Sequence, residues 1–143
     1  MAKKKVSIRP TVRYRFQYAA KFLCTANIPG TSQTTTALLP GVYQTAVNIH
    51  NPNRQTVTLR KKLAVASGEV SGFFEQKLEP DAASRVDCND ISSFGIHLIH
   101  GLEGFLVIES TLSLDVVAVY TAGKKGAEVE SIDVEYVPER KID

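Results

Sequence analysis

The feature that most constrains this chain is an alternation of side-chain character between Val12 and Cys24. Every even position there is apolar or aromatic, whereas the odd positions include two Arg, one Gln and one Lys. A period of two is typical of a β-strand with one buried face, because successive side chains of a strand point to opposite sides. No stretch of comparable length shows the 3.6-residue period of an amphipathic helix. The sequence therefore predicts an all-β protein.

Further strands follow from the same pattern and from the turn residues between them. They are predicted over 42–50, 57–65, 70–78, 82–88, 94–99, 105–109, 114–121 and 129–137, with a helical turn at 81–84 as the alternative to the short strand there. Residues 28–41 are rich in Thr, Gly and Pro and predict a long loop. The sequence thus predicts a single antiparallel β-sandwich of about 7–9 strands, immunoglobulin-like or jelly-roll-like.

The same pattern predicts local features of individual strands. The strands at 42–50 and 57–65 are joined by Asn51-Pro52-Asn53 and are expected to form a hairpin. The apolar run 114–121 is typical of a central strand that is covered on both faces. The final strand is expected to direct Ile132, Val134 and Tyr136 inward and Ser131, Asp133 and Glu135 outward, and Val47 and Val116 are expected in the core.

The 143 residues suit one ordinary domain. We expect the sandwich to span 12–137, after a basic extension at 1–11 and before a tail at 138–143. No apolar run approaches the roughly 20 residues that a membrane-spanning helix needs. No apolar stretch follows the basic start, so we expect no secretory leader, no membrane span and a cytoplasmic location.

The formal charge of +2 is unevenly distributed. Residues 1–62 carry eleven Lys or Arg and no acidic residue, whereas 63–143 carry six basic and all fifteen acidic residues, so the two parts bear +11 and −9. Separated potentials of this kind favour an interaction surface. The alternative is that the two parts neutralise each other within one fold through cross-strand pairs.

Cys24 and Cys88 are too few for a disulfide framework and too far apart for a CxxC motif. We expect both to be buried, unpaired thiols that behave as small hydrophobic side chains. A bridge between neighbouring strands is the alternative if the protein meets an oxidising compartment.

Residues suited to chemistry are sparse. His97 and His100 would point to opposite faces of a strand, and His50 could share a metal with Asp87, Cys88 and Asp90 only if the fold brought all four together. A Ser–His–Asp set assembled from Ser92 or Ser93, His97 and Asp90 lacks a nucleophile elbow and an oxyanion loop. We therefore predict no enzyme, no metal and no cofactor.

The sequence gives only weak support to two classes of ligand, nucleic acids and sugars. Nucleic-acid binding is suggested by the acid-free first part, but alternation puts Tyr14, Phe16 and Tyr18 opposite Arg13, Arg15 and Lys21, whereas a stacking sheet presents aromatics and cations together. Sugar-binding sandwiches usually display aromatic platforms, and this chain has no Trp and five Tyr.

Three segments, VYQTAVNIHNPNRQTVTLRKKLAVA, KLEPDAASRVDC and GFLVIESTLSLDVVAVYTA, resemble a family of small, uncharacterised bacterial β-sandwich proteins. More distantly, the layout is similar to the soluble transducer of sensory rhodopsin, an oligomeric β-sandwich. The resemblance covers about residues 18–137 and lies in turns and core positions. It implies the fold and a signalling role, and it transfers no functional residue.

The function predicted from these features is a non-enzymatic structural or protein-interaction module that self-assembles into a homo-oligomer. Its partner is another copy of itself, or alternatively another protein. A basic nucleic-acid-binding module is the runner-up, followed by a small-ligand or carbohydrate-binding signalling transducer. Candidate assembly residues are Arg13, Arg15, Lys21, Arg60, Lys62, Asp133 and Glu135.

Overall fold

The computed structural model describes residues 11–25, 38, 41–97, 101–124 and 128–142. Nearly all regular structure in these residues is β. The strands are β1 Phe16–Thr25, β2 Val42–His50, β3 Val57–Val65, β4 Phe74–Leu78, β5 Ala83–Asp87, β6 Gly101–Ser110, β7 Asp115–Gly123, β8 Val129–Tyr136 and β9 Arg140–Lys141, with a 3₁₀ helix at Cys88–Phe94.

The strands form two antiparallel sheets. Sheet A has the order β4-β3-β6-β1-β9, and sheet B has the order β5-β2-β7-β8. The predicted all-β antiparallel sandwich is therefore confirmed. Most strands that follow one another in the chain lie in different sheets. Among the described strands, the exceptions are β3–β4 and β7–β8, each of which forms a hydrogen-bonded pair.

The core lies between the sheets and follows the period of two. On β1 the side chains of Tyr18, Ala20, Phe22 and Cys24 are all within 1% of complete burial, and their neighbours in sequence are half-buried or exposed. Val47 and Val116 are 0% and 3% exposed, which confirms them as core residues. The side chains that face the core define the inner face of each sheet, and the opposite side is its outer face.

The predicted hairpin at 42–65 is wrong. β2 pairs with β5 and β7 in sheet B, whereas β3 pairs with β4 and β6 in sheet A, so the connection crosses the sandwich. The buried Asn51 side chain holds this crossing, because its amide nitrogen donates to the carbonyls of Gln55, Leu78 and Glu79 at 2.8–3.1 Å. Its side-chain oxygen accepts from the backbone of Asn53.

Several strand boundaries also differ from those expected. β1 begins at Phe16 rather than Val12, and β4 covers only Phe74–Leu78 of the predicted 70–78. The alternation at the start of the chain therefore extends beyond the paired backbone. Most of the predicted loop at 28–41 lies outside the described residues. The predicted tail at 138–143 contains β9, which pairs with the start of β1.

The segment before β6 forms a 3₁₀ helix where a strand was expected to begin. Asp87 caps this helix: its side chain accepts from Asn89, while the Asp90 carboxylate accepts from the Asp87 backbone. Gly95, in a left-handed conformation, ends it. A reciprocal capping box satisfies the first backbone donors of a helical turn. The predicted strand at 94–99 is therefore wrong over 94–97, and residues 98 and 99 lie outside the described part.

The two cysteines form a disulfide, so the predicted free thiols are wrong. The Cys24 and Cys88 Cα atoms are 5.8 Å apart, and the bridge ties β1 to the start of the 3₁₀ helix. The residues are 64 positions apart in sequence, and only the fold brings them together. A bridge was the alternative expectation, but it joins a strand to a 3₁₀ helix and not two neighbouring strands.

Side chains of sheet B close one edge of β1 beside this disulfide. Thr45 Oγ1 lies 2.9 Å from the Leu23 amide and 2.8 Å from its carbonyl, and the Tyr120 hydroxyl donates to the Lys21 carbonyl at 2.8 Å. In the opposite direction, the Thr25 side chain of β1 makes a similar pair of bonds with the backbone of Tyr43 on β2. Within the described residues β9 pairs only with Phe16 and Gln17, and the rest of this edge of β1 needs other partners for its backbone groups. Here polar side chains supply them.

Candidate interaction surface

The outer face of sheet A is centred on a buried carboxylate. Glu109 is 7% exposed, and it accepts from Arg60 Nε at 2.9 Å, from Arg60 Nη2 at 2.5 Å and from Gln17 at 2.8 Å. The Arg60 guanidinium lies 4.1 Å from the ring centroids of both Tyr14 and Phe73. Cation–π stacking of this kind orders an arginine. Arg60 thus neutralises a buried acid within its own chain.

Other cations on this face also contact aromatic rings. Lys21 pairs with Glu103 at 3.0 Å and lies 5.1 Å from the Phe105 ring centroid, while the Lys62 ammonium lies 4.5 Å from that of Phe73. We call Tyr14, Lys21, Arg60, Lys62, Phe73 and Phe105 the cation–aromatic face. The expectation that aromatics lie opposite the cations is therefore wrong for Tyr14, because it precedes β1 and does not continue the alternation.

The uneven charge distribution is partly neutralised inside the fold. Lys21 and Arg60 come from the basic first part of the chain, and their partners Glu103 and Glu109 lie on β6 in the acidic second part. Two candidate assembly residues are thus engaged within one chain. Arg13 and Arg15 are exposed just before β1.

The last strand of sheet B has an environment different from the one expected. All eight residues of β8 are exposed, although the strand pairs with β7 along its length. Val129, Ile132, Val134 and Tyr136 are 60, 65, 58 and 81% exposed. The expected inward orientation of Ile132, Val134 and Tyr136 is wrong.

The register shows which way these side chains point. Tyr136 pairs with Val117, Val134 with Val119 and Ile132 with Thr121. Val116 and Ala118 are buried in the core, so the intervening β7 residues belong to the outer face. Paired residues share a face of the sheet, and the β8 apolar residues therefore lie on the outer face of sheet B.

A register irregularity adds Val129 to this row. Ala122 pairs with Ser131, but Gly123 pairs with Val129, so Glu130 is an extra residue between the two pairs. An extra residue reverses the alternation beyond it. Val129 therefore lies on the same face as Ile132. We call Val129, Ile132, Val134 and Tyr136 the apolar stripe.

Asp133 and Glu135 of β8 lie on the inner side of sheet B, yet both are exposed. Glu135 pairs with the buried Ala118 and Asp133 with Tyr120. Burial raises the pKa of Tyr120 to about 12, and the nearby Glu135 and Asp133 charges add to the increase. Asp133 and Glu135 are exposed, as expected, but on the opposite side of the sheet from the predicted one.

His50 lies at the other end of the outer face of sheet B. Its ring nitrogens are 2.7 Å from Asp115 and 2.8 Å from Asp81. These hydrogen bonds, first to Asp115 and then to Asp81, raise the pKa of His50. His50 thus links the start of β7 to the turn before β5 through two side-chain hydrogen bonds.

Several residues that were considered from the sequence as metal ligands or as members of a catalytic set have other partners in the structure. Cys88 is in the disulfide, Asp87 and Asp90 cap the 3₁₀ helix, and His50 faces two other carboxylates. Among the described residues no group of three His, Cys, Asp or Glu side chains is arranged to hold a metal ion. His97 is exposed, and His100 lies outside the described residues.

The described part of the chain contains no helix that is long and apolar enough to cross a bilayer. No family model matches the sequence. No curated protein matches it either. Among solved structures, the crystal structure of Thermotoga maritima 1070 is similar, with a TM-score of 0.56 and 12% sequence identity, and the match covers 91% of this chain and 96% of that one. At this identity the likeness shows a shared β fold.

Proposed function

We propose that this protein is a non-catalytic β-sandwich module that works by protein interaction and self-assembles into a homo-oligomer. The observation that carries the proposal is the apolar stripe on β8. A strand exposed on both faces and lined on one of them with four large apolar side chains is costly in a monomer, because apolar surface in water is unfavourable. Association with another copy of the chain would remove this apolar surface from water.

The structure supports a different driving force from the charge pairing suggested by the sequence. Lys21 and Arg60 are satisfied by Glu103 and Glu109 within the chain, which leaves fewer cations to bind Asp133 and Glu135 of another copy. Apolar burial depends little on moderate salt, whereas exposed ion pairs are screened beyond about 8 Å at physiological ionic strength. We therefore expect assembly to persist as salt rises.

The disulfide bears on where the module would work. A cytoplasmic location remains a prediction, and the Cys24–Cys88 bridge argues against it, because disulfides form and persist mainly in oxidising compartments. An extracytoplasmic interaction module is consistent with the bridge. The redox state of the two thiols in protein isolated with an alkylating agent tests this point.

Light scattering coupled to size-exclusion chromatography tests self-assembly. The wild-type protein should have a mass of at least twice 15.7 kDa at micromolar concentration, at both low and high salt. A mass of one chain at every concentration and salt would refute the proposal. Loss of the oligomer at high salt alone would indicate charge-driven assembly instead.

The cation–aromatic face favours a second candidate function, nucleic-acid binding. Phe73 and Phe105 are 38% and 44% exposed and share this face with Lys62, which is the arrangement that a stacking surface needs. The carboxylates of Glu103 and Glu109 on the same face reduce its attraction for phosphate groups. Titration with labelled single-stranded DNA and RNA across salt tests it, since phosphate contacts give a steep salt dependence.

A further inference from the structure

The apolar stripe is large enough to be the centre of a stable interface. The exposed fractions of its four side chains correspond to roughly 500 Å² of accessible surface on one copy, in the upper part of the ~300–600 Å² range of the largest apolar patch on a monomer, a patch that is often functional. A standard protein interface buries about 800 Å² on each partner. The stripe therefore supplies the larger part of such an area, and the adjoining outer face of β7 would have to supply the rest.

The composition of this face suits a second copy. The cross-strand rows run from Arg85 through Asn48 and Val117 to Tyr136, and from Asp87 through Ala46 and Val119 to Val134. Each row thus changes from charged on β5 to apolar on β8.

Two such faces can meet across a two-fold axis without juxtaposing like charges at the centre. Both positive and negative side chains are available at the rim, where Arg85 and Asp87 lie 3.1 Å apart. A polar rim around an apolar centre is the usual anatomy of an interface.

Among the described strands β8 is the last of sheet B, and its outer edge suits a second copy poorly. Antiparallel pairing of β8 with β8 of another copy would bring Asp133 and Glu135 close to the same residues of that copy. Like charges opposite each other across a strand pair are destabilising. Charged residues on an edge strand are a common means by which proteins prevent edge-to-edge association.

From these observations we infer that two copies pack the outer faces of β7 and β8 against each other around a two-fold axis, with the apolar stripe at the centre and the β8 edges unpaired. The inference rests on the proposed self-assembly and specifies its contact. An isologous arrangement of this kind uses the same surface on both copies and closes as a dimer. The carboxylates of Asp133 and Glu135 remain in water on the other side of β8.

Two sets of variants test the contact by analytical ultracentrifugation. Val134→Lys and, separately, Tyr136→Lys should each raise the dimer dissociation constant at least ~30-fold, as expected for a central interface position. The matched control, Asp133→Asn with Glu135→Gln, alters the other side of the same strand. It should leave the dissociation constant within about twofold, since rim and remote charges contribute little.

Thermal melting and far-ultraviolet circular dichroism check that each variant is folded. Tyr136 is the most exposed residue of the stripe, so its replacement perturbs the monomer least. Tyr136→Lys therefore provides the test of the contact if Val134→Lys fails to fold. Tighter association in the Asp133→Asn, Glu135→Gln variant would show edge pairing and overturn the inference. An oligomer unchanged by both stripe variants would also overturn it while leaving self-assembly intact, whereas a monomeric wild type would refute self-assembly itself.

Discussion

Reducing the disulfide between Cys24 and Cys88 should destabilise the fold substantially. The bridge closes a loop with a sequence separation of 64, and the loop-closure entropy that it removes from the unfolded chain corresponds to about 4 kcal/mol. For a domain of this size each kcal/mol changes the melting temperature by roughly 4 °C, so reduction should lower it by roughly 15 °C. Because reduction removes no side-chain atoms, no cavity adds to this effect.

Differential scanning calorimetry with and without a phosphine reductant measures the change, and a thiol count after alkylation confirms that both cysteines were reduced. The control is a Cys24→Ala, Cys88→Ala variant, which should melt well below the oxidised wild type and not respond to reductant. A change of less than ~3 °C in fully reduced wild type would show that the bridge does not constrain the chain, and that the two segments are held together without it.

Three further predictions address the fold. Replacing His50 with Gln should remove a pH-dependent part of the stability. Because the paired carboxylates raise the pKa of His50, its contribution is complete below about pH 6.5 and is lost as the pH rises through the raised value. Urea midpoints measured across pH for both proteins will show this difference. Gly104→Ala should cost more than ~2 kcal/mol, because an added Cβ would lie 2.1 Å from a backbone oxygen of β3, whereas Gly72→Ala, with open space around it, should be nearly neutral in the same denaturation assay. Val47→Asp should abolish cooperative melting, since the site is 0% exposed and would bury an unpaired charge, while Gln44→Asp on the exposed side of the same strand should melt within a few degrees of wild type.

The period of two was sufficient to predict the fold class and most of the core. Tyr18, Phe22 and Val47 are buried because alternation along a strand is a local property that survives any strand order. The pairing of strands is not local. The segments 42–50 and 57–65 alternate as two arms of a hairpin would, yet Asn51 binds three carbonyls and directs the chain to the other sheet.

The orientation of β8 could not be derived from its sequence. Asp133 and Glu135 alternate with Val134 and Tyr136, and burying the apolar face is the default expectation for such a strand. That expectation assumes that a second sheet covers the strand. Here sheet A ends at the two-residue β9, so no long strand is available to cover β8 within the described residues. A surface that another molecule covers has the same alternation as a core.

The cysteine pairing and the cation–aromatic face were missed for a related reason. Cys24 lies on a core strand as a free thiol would, and its partner is 64 residues away at the start of a 3₁₀ helix. Tyr14 and Phe73 flank Arg60 although neither is its neighbour in sequence. Contacts between distant segments depend on the strand order, which composition and spacing do not specify.

The repeated crossing between sheets has a consequence for how the chain folds. β1 and β3 each flank β6, and β2 flanks β7, so the first half of the protein has few of its final strand neighbours until the second half is present. Folding rates fall as contacts become less local, and sandwiches of this kind fold in milliseconds to seconds. A nascent chain that ends before β6 therefore lacks the central strand of sheet A. We expect its folding to be delayed until β6 and β7 have been synthesised, a delay during which the apolar strands need protection from aggregation.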